Sequence, residues 1–421
     1  MLLSALAAVA LTAGGSNCDA AEKTSWKFSF GDSQPPANYQ PVSTAKLYNA
    51  RDGFGFEPGA NVTNAPRTGE EVFHDRFVTS DRPFYFSVAL PEGNYKVTVT
   101  LGGPEPGSTN TVKSELRRLM LEKIVTTPGK FETRTFVVNL RQPRIRDDDR
   151  VHLKDREKTS EIWNWDEKLT LEFNGMQPSL STLEIEPAEN IPTVYLLGDS
   201  TVCDQPKEPW NSWGQMLPRF FSPAVAIANH AESGETLKSS LGAKRLDKVL
   251  STMKPGDYLF IQFGHNDMKD RATNALEVYK MNLRQFVTGA KAKGGIPVLI
   301  TSMERKNGVD HDTLGEYPAA VREVAKDENV ALIDLHAMSR TLYNALGRNL
   351  DRAFQDGTHH NNYGSYELAK CIVEGIKSDK LGLAKFLADD YQQFDPAHPD
   401  PVDSFVMPAS PGPAGIRPLG D

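Results

Sequence analysis

A chain of 421 residues has room for two or more domains, each with a core of its own. With 39% hydrophobic and 24% charged residues, it is neither a disordered polyelectrolyte nor a collagen-like repeat. A formal net charge of -8 argues against a nucleic-acid partner, and an anionic ligand has to be met by a local basic patch.

The apolar run Leu2 to Ala13 is too short to span a bilayer and is followed by small and polar residues, including Cys18, Asp19 and Ala20. The expectation is a signal peptide over residues 1–21, without the usual positively charged leader, and a secreted or periplasmic protein. No later segment is long and apolar enough to cross a membrane. Once Cys18 leaves with the signal, Cys203 and Cys371 remain, which gives neither a disulfide framework nor zinc-site spacing. Cys203 lies close behind Ser200, but its expected state is buried and unreactive.

From Trp26 to about Glu186 the pattern is short and alternating. Trp26 to Phe30, Phe84 to Leu90, Tyr95 to Leu101, Thr133 to Leu140 and Leu169 to Phe173 all place apolar groups two apart, between turns rich in Gly, Pro and Asn. That pattern predicts an all-β sandwich of jelly-roll type over residues 25–188. The charged stretch Arg141 to Lys158 is expected to form a solvated loop between strands. Trp163 and Trp165 offer a sugar-stacking platform, although packing in the core or between domains is the better expectation.

After Pro192 the chain switches to buried strands alternating with amphipathic helices. Strands are predicted at Val194 to Leu197, Ala224 to Ala228, Tyr258 to Phe263, Pro297 to Thr301 and Val330 to Asp334. Helices are predicted at Trp213 to Phe221, Leu237 to Met253, Asn274 to Lys293, Pro318 to Asp327 and Tyr363 to Lys377. This order implies an α/β domain over residues 192–385, with a doubly wound, parallel, five-stranded sheet. The remainder, 386–421, reads as an extended, Pro-rich tail on the surface or partly mobile.

In such a sheet ligands bind outside the carboxyl ends of the strands, and those ends carry the polar groups here. The first strand stops at Gly198-Asp199-Ser200; the second runs into Asn229 to Gly234, and the third into Gly264-His265-Asn266-Asp267. Asp356-Gly-Thr-His359 precedes the last helix. A serine nucleophile needs a base held by a third group, and Asp356 and His359 have a spacing that puts both on one side of a helical turn. Attack on an ester creates an oxyanion, for which Ser200 N–H, Gly234 N–H and the Asn266 amide supply uncharged donors.

Gly198-Asp-Ser200, Gly234, Gly264-His-Asn-Asp267 and Asp356-Gly-Thr-His359 resemble the ordered motifs of the SGNH (GDSL-type) hydrolase superfamily. Within it, Gly198-Asp-Ser-Thr201, Ser212-Trp-Gly-Gln215 and Gly264-His-Asn-Asp267 resemble rhamnogalacturonan acetylesterases. The resemblance covers about Pro192 to Lys380, and the β-sandwich is similar to the galactose-binding-like module that some members carry. It implies a flavodoxin-like hydrolase fold with Ser200 as nucleophile, His359 as base, Asp356 as its orienter, and Ser200, Gly234 and Asn266 as oxyanion donors. No metal and no cofactor is implied. Acetylated plant cell-wall polysaccharide, pectin or rhamnogalacturonan, is the implied partner.

His360 directly follows His359, and only one of them can face Ser200 while Asp356 holds it. His265 and His230 lie at strand ends as candidate pocket-lining groups; His74, His152, His311, His336 and His398 read as surface or satisfied core. Arg219, Lys238, Arg305 and Lys306 are basic residues near site loops, where they can meet galacturonate or stand as ordinary solvated charges. Trp210 is a candidate border of the sugar site, and Trp213 is expected to pack the first helix. The candidate substrate-binding set is therefore Trp210, His265, Arg305 and Lys306. Two rival functions remain: a lipase or acyl-thioesterase of the same superfamily, and a glycan-binding protein with a silent hydrolase domain. A chain lacking residues before Pro192 is expected to keep turnover of small acetyl esters and to lose performance on polymer.

Overall fold

The computed structural model of the chain describes residues 25–31, 35–65 and 77–411. The expected signal peptide, His74 and the end of the tail lie outside them.

Among the described residues, the first half carries two five-stranded sheets, with two smaller sheets of three and two strands beside them. One carries Phe131–Leu140, Gly93–Gly102, Thr182–Pro187, Trp26–Phe30 and Gln40–Val42 side by side in that order. The other carries Phe54–Phe56, Phe84–Ala89, Lys168–Met176, Ser108–Ser114 and Arg118–Thr126. Neighbours run antiparallel apart from Trp26–Phe30 with Gln40–Val42. The period-two positions read from the sequence are those that meet between the sheets: Phe28 and Phe30 of one face Phe56, Phe84 and Phe86 of the other. The Phe30 and Phe86 rings approach edge to face with centroids 4.9 Å apart. Burial of each such ring stabilises the fold by about 1.5–3 kcal/mol.

Alternation does not reveal the hairpin Ser108–Ser114 and Arg118–Thr126, because Lys113 and Arg118 within it are buried. Beside these strands the sandwich meets the second domain. Arg118 Nε lies 3.1 Å from Asp204 Oδ2, Arg117 donates to the Gln205 and Trp210 carbonyls at 3.0 Å each, and Leu119 joins the core of the second domain. The stretch Arg141 to Lys158 corrects another expectation. Arg146 and Asp148 are solvated, but Arg141 and Glu157 are buried, and Arg245 of the second domain grips Glu157 through Nη1 and Nη2.

The second domain is a parallel sheet of β1 (Thr193–Gly198), β2 (Ala226–Asn229), β3 (Tyr258–Gln262), β4 (Ile296–Ile300) and β5 (Ala331–Ile333). The spatial order is β2-β1-β3-β4-β5, so the winding reverses at β1. In β1, Val194 and Leu196 enter one core while Tyr195 and Leu197 enter another on the opposite face, as a doubly wound sheet requires. Around it pack α1 (Trp213–Met216), α2 (Leu237–Gly242), α3 (Arg245–Thr252), α4 (Ala275–Ala292), α5 (Tyr317–Asp327), α6 (Leu335–Leu346) and α7 (Asn362–Ser378).

The single helix expected from Leu237 to Met253 is broken where Lys244 adopts φ 60°, a left-handed conformation that no α-helix tolerates. The first helix is shorter than expected because the chain passes into a 3-10 turn over Leu217–Phe220, with Pro218 in its first turn. Helix α6, unforeseen, is capped by the Asp334 side chain. The tail is irregular as expected, but between Phe394 and Pro411 it is pinned. Phe394 is buried, Lys113 Nζ donates to the Pro408 carbonyl at 2.8 Å, and Ser410 Oγ donates to Glu172 at 2.7 Å.

Candidate active site

β1 delivers Ser200 to the rim of the sheet at the point where strand order reverses, the place where open α/β sheets bind ligands. Gly198 makes the turn possible. A Cβ there would lie 2.5 Å from Val202 Cγ2 and 2.7 Å from the Gln262 carbonyl. Asp199 turns inward and ties the loop together by accepting from Thr201 N–H at 3.0 Å and Thr201 Oγ1 at 2.7 Å. Burial raises the Asp199 pKa, but the neighbouring His265 imidazole and the hydrogen bonds from Thr201 outweigh it and hold the carboxyl below its usual range.

The partners of Ser200 come from Asp356 to His359. Asp356 Oδ1 accepts the Thr358 and His359 amides at 2.8 and 2.7 Å, closing an Asx-type turn rather than the helical turn expected from the spacing. Asp356 Oδ2 then faces His359 Nδ1 at 2.9 Å, and His359 Nε2 stands 2.9 Å from Ser200 Oγ. Burial opposes the Asp356 charge, yet the hydrogen bonds from His359 and the turn amides prevail and keep the carboxyl well below its ordinary value. An ionised carboxylate only accepts, so Nδ1 carries the proton and Nε2 is free to take the serine hydroxyl proton. His360 turns away, packs at a tilt on Phe354 with centroids 4.0 Å apart and bonds Tyr343 Oη at 2.8 Å. Burial pushes its pKa down to about 3.

The loops carrying Gly234 and Asn266, the expected oxyanion donors, are tied to their neighbours. Gln205 Nε2 donates to the Ser200 carbonyl at 2.6 Å and reaches Ser233 Oγ at 3.4 Å, which binds the Ser233-Gly234 turn to the nucleophile loop. Gly234 has φ 74°, a region open to glycine at no steric cost. Asn266 follows β3 and spends one amide hydrogen on the Glu235 carbonyl at 3.1 Å; its second amide hydrogen remains for another acceptor.

Several other expectations change. Trp210 is buried, and its indole Nε1 lies 3.3 Å from Asp356 Oδ2, so it braces the carboxylate instead of presenting a face to a sugar. His265 is buried beneath the nucleophile turn: Nε2 donates to the Met303 carbonyl at 3.0 Å, and Nδ1 faces Asp199 Oδ2 at 3.6 Å. His230 is buried between Trp165 and Tyr195, and burial pushes its pKa well down. The Arg305 guanidinium is committed to Thr358 Oγ1 and the His265 and Thr313 carbonyls, each at 3.3 Å, and so ties three site loops together. Lys306 stays at the rim, paired with Asp351 at 3.0 Å. Arg219 is spent on Glu122 and Asp390, while Lys238 is exposed on the first turn of α2.

Trp165 is buried, donating to Glu157 at 2.9 Å under the Arg141 guanidinium; Trp163 lines an interdomain cavity of about 350 Å3 with Tyr85. Cys203 and Cys371 are both buried and free, with the Cys203 thiol pushed well up by burial. Glu304, Asp312 and His336 bring possible ligand atoms within 4.8 Å of one another. Protein groups already use Glu304 and His336: the carboxylate accepts the Arg305 and Thr313 amides at 2.7 and 3.2 Å and His336 Nε2 at 3.2 Å, and Arg322 donates to His336 Nδ1 at 3.3 Å. Nothing in the motif spacing pointed to Gln205 or to the bracing role of Trp210.

A serine hydroxyl on an imidazole held by a carboxylate, at the switch point of a doubly wound sheet, defines a hydrolase of the serine type. Comparison with known proteins makes the class specific. The model described as "GDSL-like Lipase/Acylhydrolase family" matches residues 196–365, and one described as "Beta-agarase/YXIM esterase-like, galactose-binding domain-like" matches residues 26–140. The chain is 38% identical to rhamnogalacturonan acetylesterase RhgT of Bacillus subtilis over 45% of this chain and 90% of that protein. It is 28% identical to the uncharacterized esterase YxiM of the same organism, over 89% of this chain and 95% of that one. A crystal structure of YxiM superposes with a TM-score of 0.46 at 24% identity, covering 85% of this chain and 99% of that one. The chain belongs to the GDSL (SGNH) hydrolases and is a carboxylic ester hydrolase with a galactose-binding-like domain before its catalytic domain.

Proposed function

We propose that the protein is a serine carbohydrate esterase that removes O-acetyl groups from pectic polysaccharide, with acetylated rhamnogalacturonan as its substrate. The observation that carries the chemistry is the unbroken Ser200–His359–Asp356 hydrogen-bond chain, with 2.9 Å at both imidazole nitrogens. The substrate class follows the name of the relative that aligns with the catalytic half.

In this reading Ser200 Oγ attacks the acetyl carbonyl carbon as His359 Nε2 takes its proton. Asp356 stabilises the imidazolium. The carbonyl oxygen, now an oxyanion, is held by Ser200 N–H, Gly234 N–H and the free amide hydrogen of Asn266. Collapse breaks the bond to the sugar oxygen, which leaves with the proton from His359. Water, deprotonated by the same imidazole, then attacks the acetyl-enzyme, releases acetate and returns the proton to Ser200. Export through a signal peptide over residues 1–21, with domains at 25–188 and 192–385 and a tail at 386–421, completes the proposal.

The test is acetate release by the full chain from acetylated rhamnogalacturonan, with acetylated xylan and a series of longer acyl esters beside it. Ser200→Ala and His359→Ala are expected to abolish release. Turnover near wild type in either variant refutes the mechanism, and preference for long acyl chains over acetate moves the substrate to lipid.

A further inference from the structure

The carbonyl oxygen of Ser233 is gripped from the other domain. Lys154 Nζ and the Arg156 guanidinium, both on the sandwich segment after Arg141, each donate to it at 2.6 Å. That carbonyl belongs to the same planar peptide unit as the Gly234 N–H. We infer that Lys154 and Arg156 are positioning residues for ester hydrolysis: they aim and polarise the Ser233–Gly234 peptide, so the sandwich domain completes the oxyanion site. The inference rests on the assignment of Gly234 N–H as an oxyanion donor.

In a planar peptide the C=O and N–H point in opposite directions, so pinning the oxygen on the sandwich side turns the hydrogen the other way. The glycine following the bond does not fix it sterically, since φ 74° and its mirror are both open to glycine. Two charge-assisted bonds to the oxygen supply the missing restraint. They also draw electron density toward the oxygen and strengthen the N–H as a donor, the cooperative polarisation of linked hydrogen bonds.

The cations are themselves fixed. Lys154 Nζ pairs with Glu235 at 2.8 Å, Arg156 pairs with Glu232, and the Lys154 amide donates to Glu157 at 2.9 Å. Glue between domains would need only these carboxylates. The additional contact with a main-chain carbonyl next to a candidate donor is what a catalytic role requires. It also reverses one expectation from the sequence, because loss of the sandwich contacts is then felt on small esters as much as on polymer.

The experiment uses the full chain and an aryl acetate. Lys154→Met/Arg156→Met is compared with Lys244→Met, which breaks the 2.6 Å pair with Asp149 across the same interface without touching Ser233. Asn266→Ala serves as the measure of oxyanion loss. The double variant is expected to lose about tenfold in kcat with KM within about twofold, a fraction of the roughly 10²–10³-fold that complete loss of an oxyanion donor costs, because the N–H is weakened and not removed. Lys154→Arg and Arg156→Lys restore most of the loss, and Lys244→Met retains full kcat. If the double variant does not fold, Lys154→Met and Arg156→Gln singly carry the same test, with about threefold losses in kcat. Cation-removing variants that turn over no more slowly than Lys244→Met, while Asn266→Ala is impaired, overturn the inference alone. An unimpaired Asn266→Ala overturns the oxyanion reading beneath it.

Discussion

Asp356→Asn isolates the task of the carboxylate, because the surroundings dictate how the new amide sits. Two backbone N–H groups point at Oδ1, from Thr358 at 2.8 Å and His359 at 2.7 Å, so the amide oxygen has to take that position. Its NH2 then replaces Oδ2, where His359 Nδ1 lies at 2.9 Å and Trp210 Nε1 at 3.3 Å. A donor facing His359 Nδ1 forces the proton to Nε2, and the imidazole loses the lone pair that receives the Ser200 proton. Wrong-tautomer variants of this kind lose about 10⁴-fold in kcat in other serine hydrolases, about 5.5 kcal/mol of transition-state stabilisation. The same NH2 meets the Trp210 N–H donor to donor, so Asp356→Asn also loses stability, on the order of 1–3 kcal/mol. Trp210→Phe in that background removes the conflict and is expected to recover stability without recovering turnover. Steady-state kinetics on an aryl acetate and urea denaturation of the wild type and the two variants check both halves. A kcat within tenfold of wild type for Asp356→Asn, or turnover restored by Trp210→Phe, refutes the argument.

Two further outcomes concern buried charge. Asp267 accepts the Leu237 amide at 2.9 Å through Oδ1, while its Oδ2 is buried without a hydrogen-bond partner, and burial pushes its pKa up to about 7. A carboxyl raised in the fold above its unfolded value of about 3.9 favours the native state below that value and loses this contribution as pH rises through about 7. Asp267→Asn is therefore expected to gain on wild type by on the order of 2–4 kcal/mol between pH 4 and pH 8. Urea denaturation at both pH values reads the gap; a constant difference counts against the assignment. Lys113→Met strips a buried ammonium from Glu172, the Pro408 carbonyl and Ser410 Oγ, leaving the Glu172 carboxylate buried without its cation. The expected cost is about 3–5 kcal/mol, with earlier proteolytic cutting of the tail. Adding Glu172→Gln should return most of the stability, and a double variant no more stable than the single refutes the pairing.

The catalytic half was legible because its signals are local. Buried parallel strands write themselves as unbroken apolar runs, and β1 shows Val194, Tyr195, Leu196 and Leu197 all buried, serving two cores in alternation. The polar groups that stop those runs lie at the sheet rim by necessity, so Ser200, Gly234 and Asn266 could be nominated from strand ends alone. Asp356 and His359 were legible as a pair, although the turn joining them is closed by the Asp356 side chain instead of a helix. Trp210 was misjudged because an aromatic near a nucleophile has the same appearance in sequence whether its face meets a ligand or its N–H meets a carboxylate.

What stayed hidden is the surface between the two halves, and the reason is physical. Charges on the strand face opposite a core, and charges in a polar stretch between strands, ordinarily meet water, so Lys113, Arg117 and Arg118 on the one hand and Arg141, Lys154 and Arg156 on the other look like ordinary solvated groups. Across the interface stand Asp204, Glu208, Glu232 and Glu235, and direct pairs join Arg118 to Asp204, Arg117 to Glu208 and Lys154 to Glu235 at 3.1, 2.6 and 2.8 Å. A net charge of -8 carries no trace of this arrangement, because a basic edge and an acidic edge cancel in any sum. Electrostatic complementarity of this kind fixes register between surfaces more than it adds affinity. Register is what the chemistry needs here. The cations that match the sandwich to Glu232 and Glu235 also reach the peptide between them, so the contact that orients one domain on the other also orients an amide beside the nucleophile.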